Sequence, residues 1–265
     1  FHAAIYSDIT DIQRSQEKLD YLAHHDSLTN LPNRTLFTEE LRHAIGRSRR
    51  TERKLALIFF DIDRFKYIND TFGHNQGDSL LVKVANRIKK HGRTEDLFAR
   101  LGGDEFVMLV ENLESAESSG FIAKKILNAF DDAFALEQGL NVNISTSIGI
   151  AIYPDDGNNS TVLLSNADSA MYSAKELGGG QYQYYTPSLT ENVKHKLLVE
   201  NELRQAIENN DFHLNYQPQI RLEDRKICGV EAVIRGQSAN NGLIPPDVFI
   251  PIAEENGSII NLGRF

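Results

Sequence analysis

The sequence predicts a mixed α/β fold, and two observations carry that prediction. Segments with apolar residues at helical spacing interleave with segments where apolar residues alternate or run together. Glycines punctuate the boundaries, at Gly73, Gly102-Gly103 and Gly178-Gly179-Gly180. Phe37, Leu41, Ala44 and Ile45 mark a helix face after Asn33, a residue suited to cap it. Lys54 to Phe60 reads as a buried strand ending at Asp61, followed by a short helix through Phe65 and Ile68. After Gly73 and Gly77 comes a longer helix with Leu81, Val84 and Ile88 on one side, closed by Gly92. Leu97 to Leu101 and Phe106 to Val110 read as two strands joined by a tight turn, since glycine supplies the positive φ such a turn needs. A helix near Ser118 to Phe130 and one strand alternating from Val142 through Ile152 come next. Leu163, Ala167, Ala170, Met171 and Ala174 mark a last helix, ended by the three glycines.

The chain divides into three parts: residues 1–24, 25–186 and 187–265. In the first, Ile9, Ile12, Leu19 and Ala23 fall near heptad spacing, which fits a polar connecting helix that pairs with a second copy, or equally a surface helix on its own domain. The last begins with a helix carrying Leu203 and Ile207, then strands at Phe212 to Tyr216 and Ile227 to Ile234. No repeat of 20 to 50 residues is present.

Composition narrows the function. With 28 Lys+Arg against 37 Asp+Glu, the formal charge is −9, which argues against a nucleic-acid binder that neutralises phosphates with its own cations. The longest apolar run, Leu55 to Phe60, falls far short of the ~20 residues of a membrane span. The single cysteine, Cys228, excludes an internal disulfide and fits a cytoplasmic setting. Beginning at Phe1 and stopping abruptly at Phe265, the chain reads as a piece of something longer.

Asp61 and Asp63 end an apolar strand, while Asp104-Glu105 sit in a turn, so a sheet that joins the two would converge up to four carboxylates. Such a cluster needs a positive occupant. Oxygen donors with one cysteine in the chain favour Mg²⁺ or Mn²⁺ over zinc, and Mg²⁺ shares its coordination with substrate phosphates. Solvated turns are the alternative reading of each acid pair.

Those residues carry a family resemblance. Arg100 to Phe106 (RLGGDEF) resembles the signature of the GGDEF family of bacterial diguanylate cyclases. His25 to Arg34 (HDSLTNLPNR) resembles its opening segment, and Phe60 to Asp78 (FDIDRFKYINDTFGHNQGD) its metal- and base-binding stretch. The resemblance implies a central, mostly antiparallel sheet flanked by helices, of the nucleotidyl-cyclase or palm kind. It implies condensation of two GTP into cyclic di-GMP and two pyrophosphates where two such domains face each other. Asp61, the Ile62 carbonyl and Glu105 would bind Mg²⁺ or Mn²⁺, and Asp104 would help deprotonate the attacking 3′-hydroxyl. Asn69 and Asp78 match guanine readers; an ionised carboxylate only accepts, which suits guanine N1–H and N2–H₂ and not adenine. Lys66, His74 and Lys175 match positions near phosphates or ribose, and the backbone amides after Asp63 suit phosphate at a helix start.

Arg93 and Asp96 stand at the spacing of the family's inhibitory product site, Arg-x-x-Asp, with a surface ion pair as the plain alternative. Phe1 to Thr10 resembles the end of a PAS sensor domain. Two departures stand out: Gly179 occupies the place of an arginine expected on the triphosphate, and Asn30 that of a usual glycine. The last part resembles the start of an EAL phosphodiesterase barrel through Asn215 to Pro218, Gly229 to Arg235 and Ile244 to Glu254. Gln217, Glu231 and Arg235 match its metal and substrate residues, although Val233 and Gly236 depart from its motif. The 79 residues from Pro187 are too few for a barrel of about 250, so no phosphodiesterase activity is expected of this chain. The resemblance thus implies a diguanylate cyclase; the alternative is a silent GGDEF module that binds GTP or cyclic di-GMP and regulates an EAL partner.

Overall fold

The computed structural model describes residues 18–90, 96–113, 115–136, 139–209, 211–238, 242–255 and 257–263. The PAS-like segment, the start of the connecting helix, Gly92 and Arg93 lie outside them. The chain forms two compact units, Phe1–Leu189 and Thr190–Phe265.

The first unit is built on a five-stranded sheet in the order β2-β3-β1-β6-β7. Its strands are β1 (Lys54–Ile62), β2 (Leu97–Gly102), β3 (Glu105–Leu113), β6 (Thr146–Tyr153) and β7 (Tyr182–Tyr184). Every pairing is antiparallel except β6 with β7. β1 is apolar at successive positions because helices cover both faces of the sheet. Ala56, Ile58, Phe60 and Ile62 pack with Ile68 of α2 (Phe65–Phe72), Leu81, Val84 and Ile88 of α3 (His74–Lys89), and Ile126 of α4 (Ala116–Asn128). Leu55, Leu57 and Phe59 pack with Phe37 and Leu41 of α1 (Arg34–Thr51) and with Leu163, Ala167 and Met171 of α5 (Ser160–Glu176). Asn33 caps α1, its side chain accepting from the Thr35 and Leu36 N–H groups.

One strand is corrected. The alternation from Val142 to Ile152 is broken: β5 (Asn141–Val142) pairs with β4 (Phe134–Ala135), and β6 starts only at Thr146. The reason lies in Ser145, whose carbonyl accepts from Asp63 N–H and whose hydroxyl donates to the Asp63 carboxylate, turning residues 143–145 out of the ladder. The fourth helix also begins and ends earlier than its apolar face suggests.

In the second unit, which takes in most of α6 (Pro187–Asn209), Val199 and Leu203 pack against Phe249, Ile252 and Ala253 of α7 (Pro246–Glu255) and Leu262 of α8 (Ile259–Leu262). A three-stranded antiparallel sheet runs β10-β9-β8, from Gly242–Ile244, Ile227–Ser238 and Phe212–Ile220. Among the described residues no helix is long and apolar enough to cross a membrane.

Candidate active site

The register of the sheet assembles the acids. β1 and β3 pair so that Asp61 lies opposite Glu105, with Ser147 of β6 on its other side. Gly102 and Gly103 turn the chain from β2 into β3 with positive φ. That turn is pinned from behind: Arg100 Nε and Nη2 donate to the Gly103 carbonyl at 2.9 and 2.7 Å, and Nη1 to Asp26 Oδ1 at 2.8 Å. Asp26 Oδ1 also accepts from the Thr29 N–H and hydroxyl, so the opening segment and the signature turn are one hydrogen-bonded unit. Asn30 holds φ 57°, the left-handed conformation that asparagine tolerates in place of glycine.

Asp61 is buried, and Lys175 Nζ reaches its Oδ2 at 2.9 Å. Burial pushes its carboxyl up to about 7, and the neighbouring Asp104 adds to the rise while Lys175 opposes it. Its Oδ1 is buried with no hydrogen-bond partner. Glu105 is raised by burial too, with Asp168 and Asp104 adding to the rise and Arg34 and Lys175 opposing it. Arg34 Nη2 stands 3.2 Å from Glu105 Oε2.

The expected convergence of four carboxylates is corrected to a different set. Asp63 turns away: its Oδ2 accepts from Ser145 Oγ at 2.5 Å and Gly180 N–H at 3.0 Å, its Oδ1 from Ser147 Oγ at 2.6 Å. Asp168 joins instead, solvent-accessible yet crowded enough by protein to be raised, against the pull of Lys175 and Arg34. Asp168 and Arg34 also stand beside Glu105, and no motif or spacing gives either of them a role. The signal for Asp168 was its place seven residues before Lys175, two turns along one helix face; Arg34 closed the opening segment without an assigned role.

Ile62 is buried at the end of β1 beside this cluster. Among the described residues no three His, Cys, Asp or Glu side chains converge as a metal site. Asp61 and Glu105 stand opposite each other with carboxylate oxygens to offer, and the unpartnered Asp61 Oδ1 is the kind of buried acceptor a hard cation satisfies. The residues present therefore fit a divalent cation.

Asn69 lies on α2 and Asp78 on α3, which pack together. A Cβ at residue 77 would come within 1.9 Å of Asn69 Oδ1, so only glycine leaves that amide its place. Asn69 Oδ1 is buried without a donor, and Asp78 is exposed next to Gly77. Lys66 and His74 are exposed near the starts of the same two helices. α2 has no side-chain cap at its N-terminus. Asp96 lies apart from the acids, lining a cavity of about 390 Å³ with Arg47, Arg50 and Glu111. In the second unit, Gln217 and Glu231 face each other across β8 and β9, with Arg235 four residues further along β9.

At residue 179 the backbone holds φ 74°, and an added Cβ would stand 2.8 Å from Asp63 Oδ2. An arginine there would hold a left-handed backbone and displace the Asp63 carboxylate.

A family model described as "Diguanylate cyclase, GGDEF domain" matches residues 23–181, and one described as "EAL domain" matches residues 200–265. The bifunctional diguanylate cyclase/cyclic di-GMP phosphodiesterase MucR of Pseudomonas aeruginosa is 41% identical over 256 residues, which are 97% of this chain and 37% of MucR. The cyclic di-GMP phosphodiesterase PdeR of Escherichia coli is 39% identical over 259 residues, 98% of this chain and 38% of PdeR. The chain therefore spans little more than a third of the length of these relatives. Among solved structures, the GGDEF domain of TpbB (YfiN) from Pseudomonas aeruginosa has 41% identity and a TM-score of 0.63, covering 64% of this chain and 99% of its own. The coiled coil and GGDEF domain of DgcB from Caulobacter crescentus, solved with c-di-GMP, has 27% identity and a TM-score of 0.61, covering 67% and 93%.

Proposed function

Because this chain belongs to the GGDEF family, we propose that its first unit is a diguanylate cyclase that condenses two GTP into cyclic di-GMP. The observation that carries this reading is the pairing of Asp61 with Glu105 across β1 and β3, with Asp61 Oδ1 buried and unpartnered and Asp104 close enough to act on Asp61. Asp61, Glu105 and the Ile62 carbonyl hold the Mg²⁺ or Mn²⁺. The cation supplies charge neutralisation at the phosphates. Asn69 and Asp78 take the donor edge of guanine, while Lys66, His74 and Lys175 lie toward ribose and phosphates. Asp104 accepts the proton of a 3′-hydroxyl. That oxygen attacks the α-phosphorus of the GTP held by a facing domain, a phosphodiester bond forms, and pyrophosphate leaves. A second such attack closes the ring, so one domain alone is incomplete and the working unit is a pair. Arg93 and Asp96 bind the product and slow the reaction. The reaction belongs in the cytoplasm, where GTP is supplied. The domain limits we favour are 25–186 for the cyclase and 187–265 for the EAL-like part.

A second reading is favoured by Gly179 and by relatives such as PdeR that are named phosphodiesterases: a module that binds GTP or cyclic di-GMP without turnover and regulates an attached EAL domain. One experiment separates them. The purified chain is incubated with GTP and Mg²⁺ over a range of protein concentrations, and products are resolved by chromatography. Cyclic di-GMP rising faster than linearly with protein supports the cyclase. Mg²⁺-dependent GTP binding with no product, even with two copies joined through their N-terminal helices, supports the regulatory module.

A further inference from the structure

In the candidate site two carboxylates are already held by cations of the chain itself. Lys175 Nζ stands 2.9 Å from Asp61 Oδ2, and Arg34 Nη2 stands 3.2 Å from Glu105 Oε2. Lys175 has a place in the reading above, toward the phosphates, whereas Arg34 has none. We propose that Arg34 is a built-in competitor of the divalent cation: it holds the Glu105 carboxylate until the cation displaces it, and Asp168 then takes up its guanidinium. This inference rests on the cation reading of Asp61 and Glu105 and adds to it a control on when that site fills.

The charges balance for such an exchange. Asp61, Asp104, Glu105 and Asp168 act on one another or on the same two cations, Arg34 and Lys175. With every acid ionised, two negative charges are left over, as many as one divalent cation neutralises. A guanidinium on Glu105 Oε2 occupies a lone pair that a hard cation needs and sets a like charge beside it. It is easily dislodged, because the Arg34 and Glu105 side chains are 60% and 38% exposed and exposed ion pairs are weak. The Lys175 and Asp61 side chains, 34% and 10% exposed, make the firmer pair. Arg34 also has a second acceptor within reach. Its charge already acts on the Asp168 carboxylate, which among the described residues forms no ion pair. The exchange needs no change of fold. Arg34 starts α1, where the Asn33 side chain caps the first turn and Phe37 and Leu41 are fully buried, so the backbone is fixed while the side chain turns.

Cation binding is read without turnover, by titrating Mn²⁺ into the full chain in the absence of nucleotide and following the paramagnetic resonance of the free ion. We expect Arg34→Gln to bind Mn²⁺ about fivefold more tightly, the worth of an exposed ion pair, with Arg34→Lys close to the unaltered chain. A merely structural role gives the opposite sign, since a disturbed site holds a cation less well. Asp168→Asn should weaken binding in the unaltered chain and have much less effect once Arg34 is replaced, because no guanidinium then needs a new acceptor. Unchanged or weaker binding by Arg34→Gln, an equal effect of Asp168→Asn in both backgrounds, or no Mn²⁺ binding by the unaltered chain and Arg34→Gln alike overturns the proposal. Glu105→Gln keeps the two readings apart. If it abolishes Mn²⁺ binding while Arg34→Gln changes nothing, the cation reading stands and the competitor falls; if Mn²⁺ binds as well after Glu105→Gln, the cation reading falls and takes the competitor with it.

Discussion

Asp26 shows how one carboxylate can hold two motifs together. Burial alone would raise its carboxyl, but the Thr29 hydroxyl and N–H and the Arg100 guanidinium outweigh that and hold it below the ordinary value. A lowered acid stabilises the fold above its unfolded-state value, and that contribution is lost as pH falls through the lower folded value. Asp26→Ala leaves Arg100, almost fully buried, without the carboxylate that balances its charge, so it should cost about 3 kcal/mol at neutral pH. In urea melts the deficit should shrink below about pH 4. Gly179 supports a second prediction. Gly179→Arg should not strengthen GTP binding, because its Cβ meets a carboxylate held by three donors at a backbone φ of 74°. Tighter binding in a titration would contradict that geometry. Asp78→Ala should erode discrimination between GTP and ATP, read as the ratio of their dissociation constants. Asp104→Asn should end turnover while leaving the thermal melt in place, since Asp104 stands in a turn outside the core.

Asp63 matters as a joint between elements rather than as a ligand. It binds the segment before β6, Ser147 of β6 and the glycine loop after α5 to the end of β1. Asp63→Ala removes the acceptor for two hydroxyls and one N–H, and should cost about 2 kcal/mol. Hydrogen exchange at Gly180 should quicken while amides in the middle of β1 and β3 keep their protection. Uniform quickening would mean that Asp63 supports the whole sheet. Asp63 also explains why a strand that alternates from Val142 to Ile152 in sequence does not form in one piece: alternation predicts which way side chains point, while a carboxylate 82 residues away removes Ser145 from the ladder.

At the scale of the molecule, the proposed reaction joins two nucleotides, whereas the proposed site, with two carboxylates for a cation and one pair of base readers, takes one. Activity per chain should therefore rise with protein concentration until pairing saturates. Arg93→Ala should flatten inhibition by added cyclic di-GMP at fixed GTP; an unchanged inhibition curve would return Arg93 and Asp96 to the role of a surface ion pair. The second unit has its own small core around Phe249 and Leu203, and Gln217 and Glu231 stand in register across its sheet.

By itself the sequence determined the family, the alternation of helices and strands, and the acids, amides and glycines of the candidate site, because these depend on local spacing and on motifs read within a few residues. Helix faces such as Leu81, Val84 and Ile88, and the glycine turn before Asp104, follow from periodicity and backbone sterics alone. Which acids meet was decided only by tertiary structure. Asp63 looked equivalent to Asp61 two residues earlier, yet the hydroxyls of Ser145 and Ser147 claim it. Asp168 and Arg34, distant in sequence, arrive beside Glu105 because α5 and α1 cover the same face of the sheet. Spacing sets what a residue can offer, and long-range packing sets what it faces.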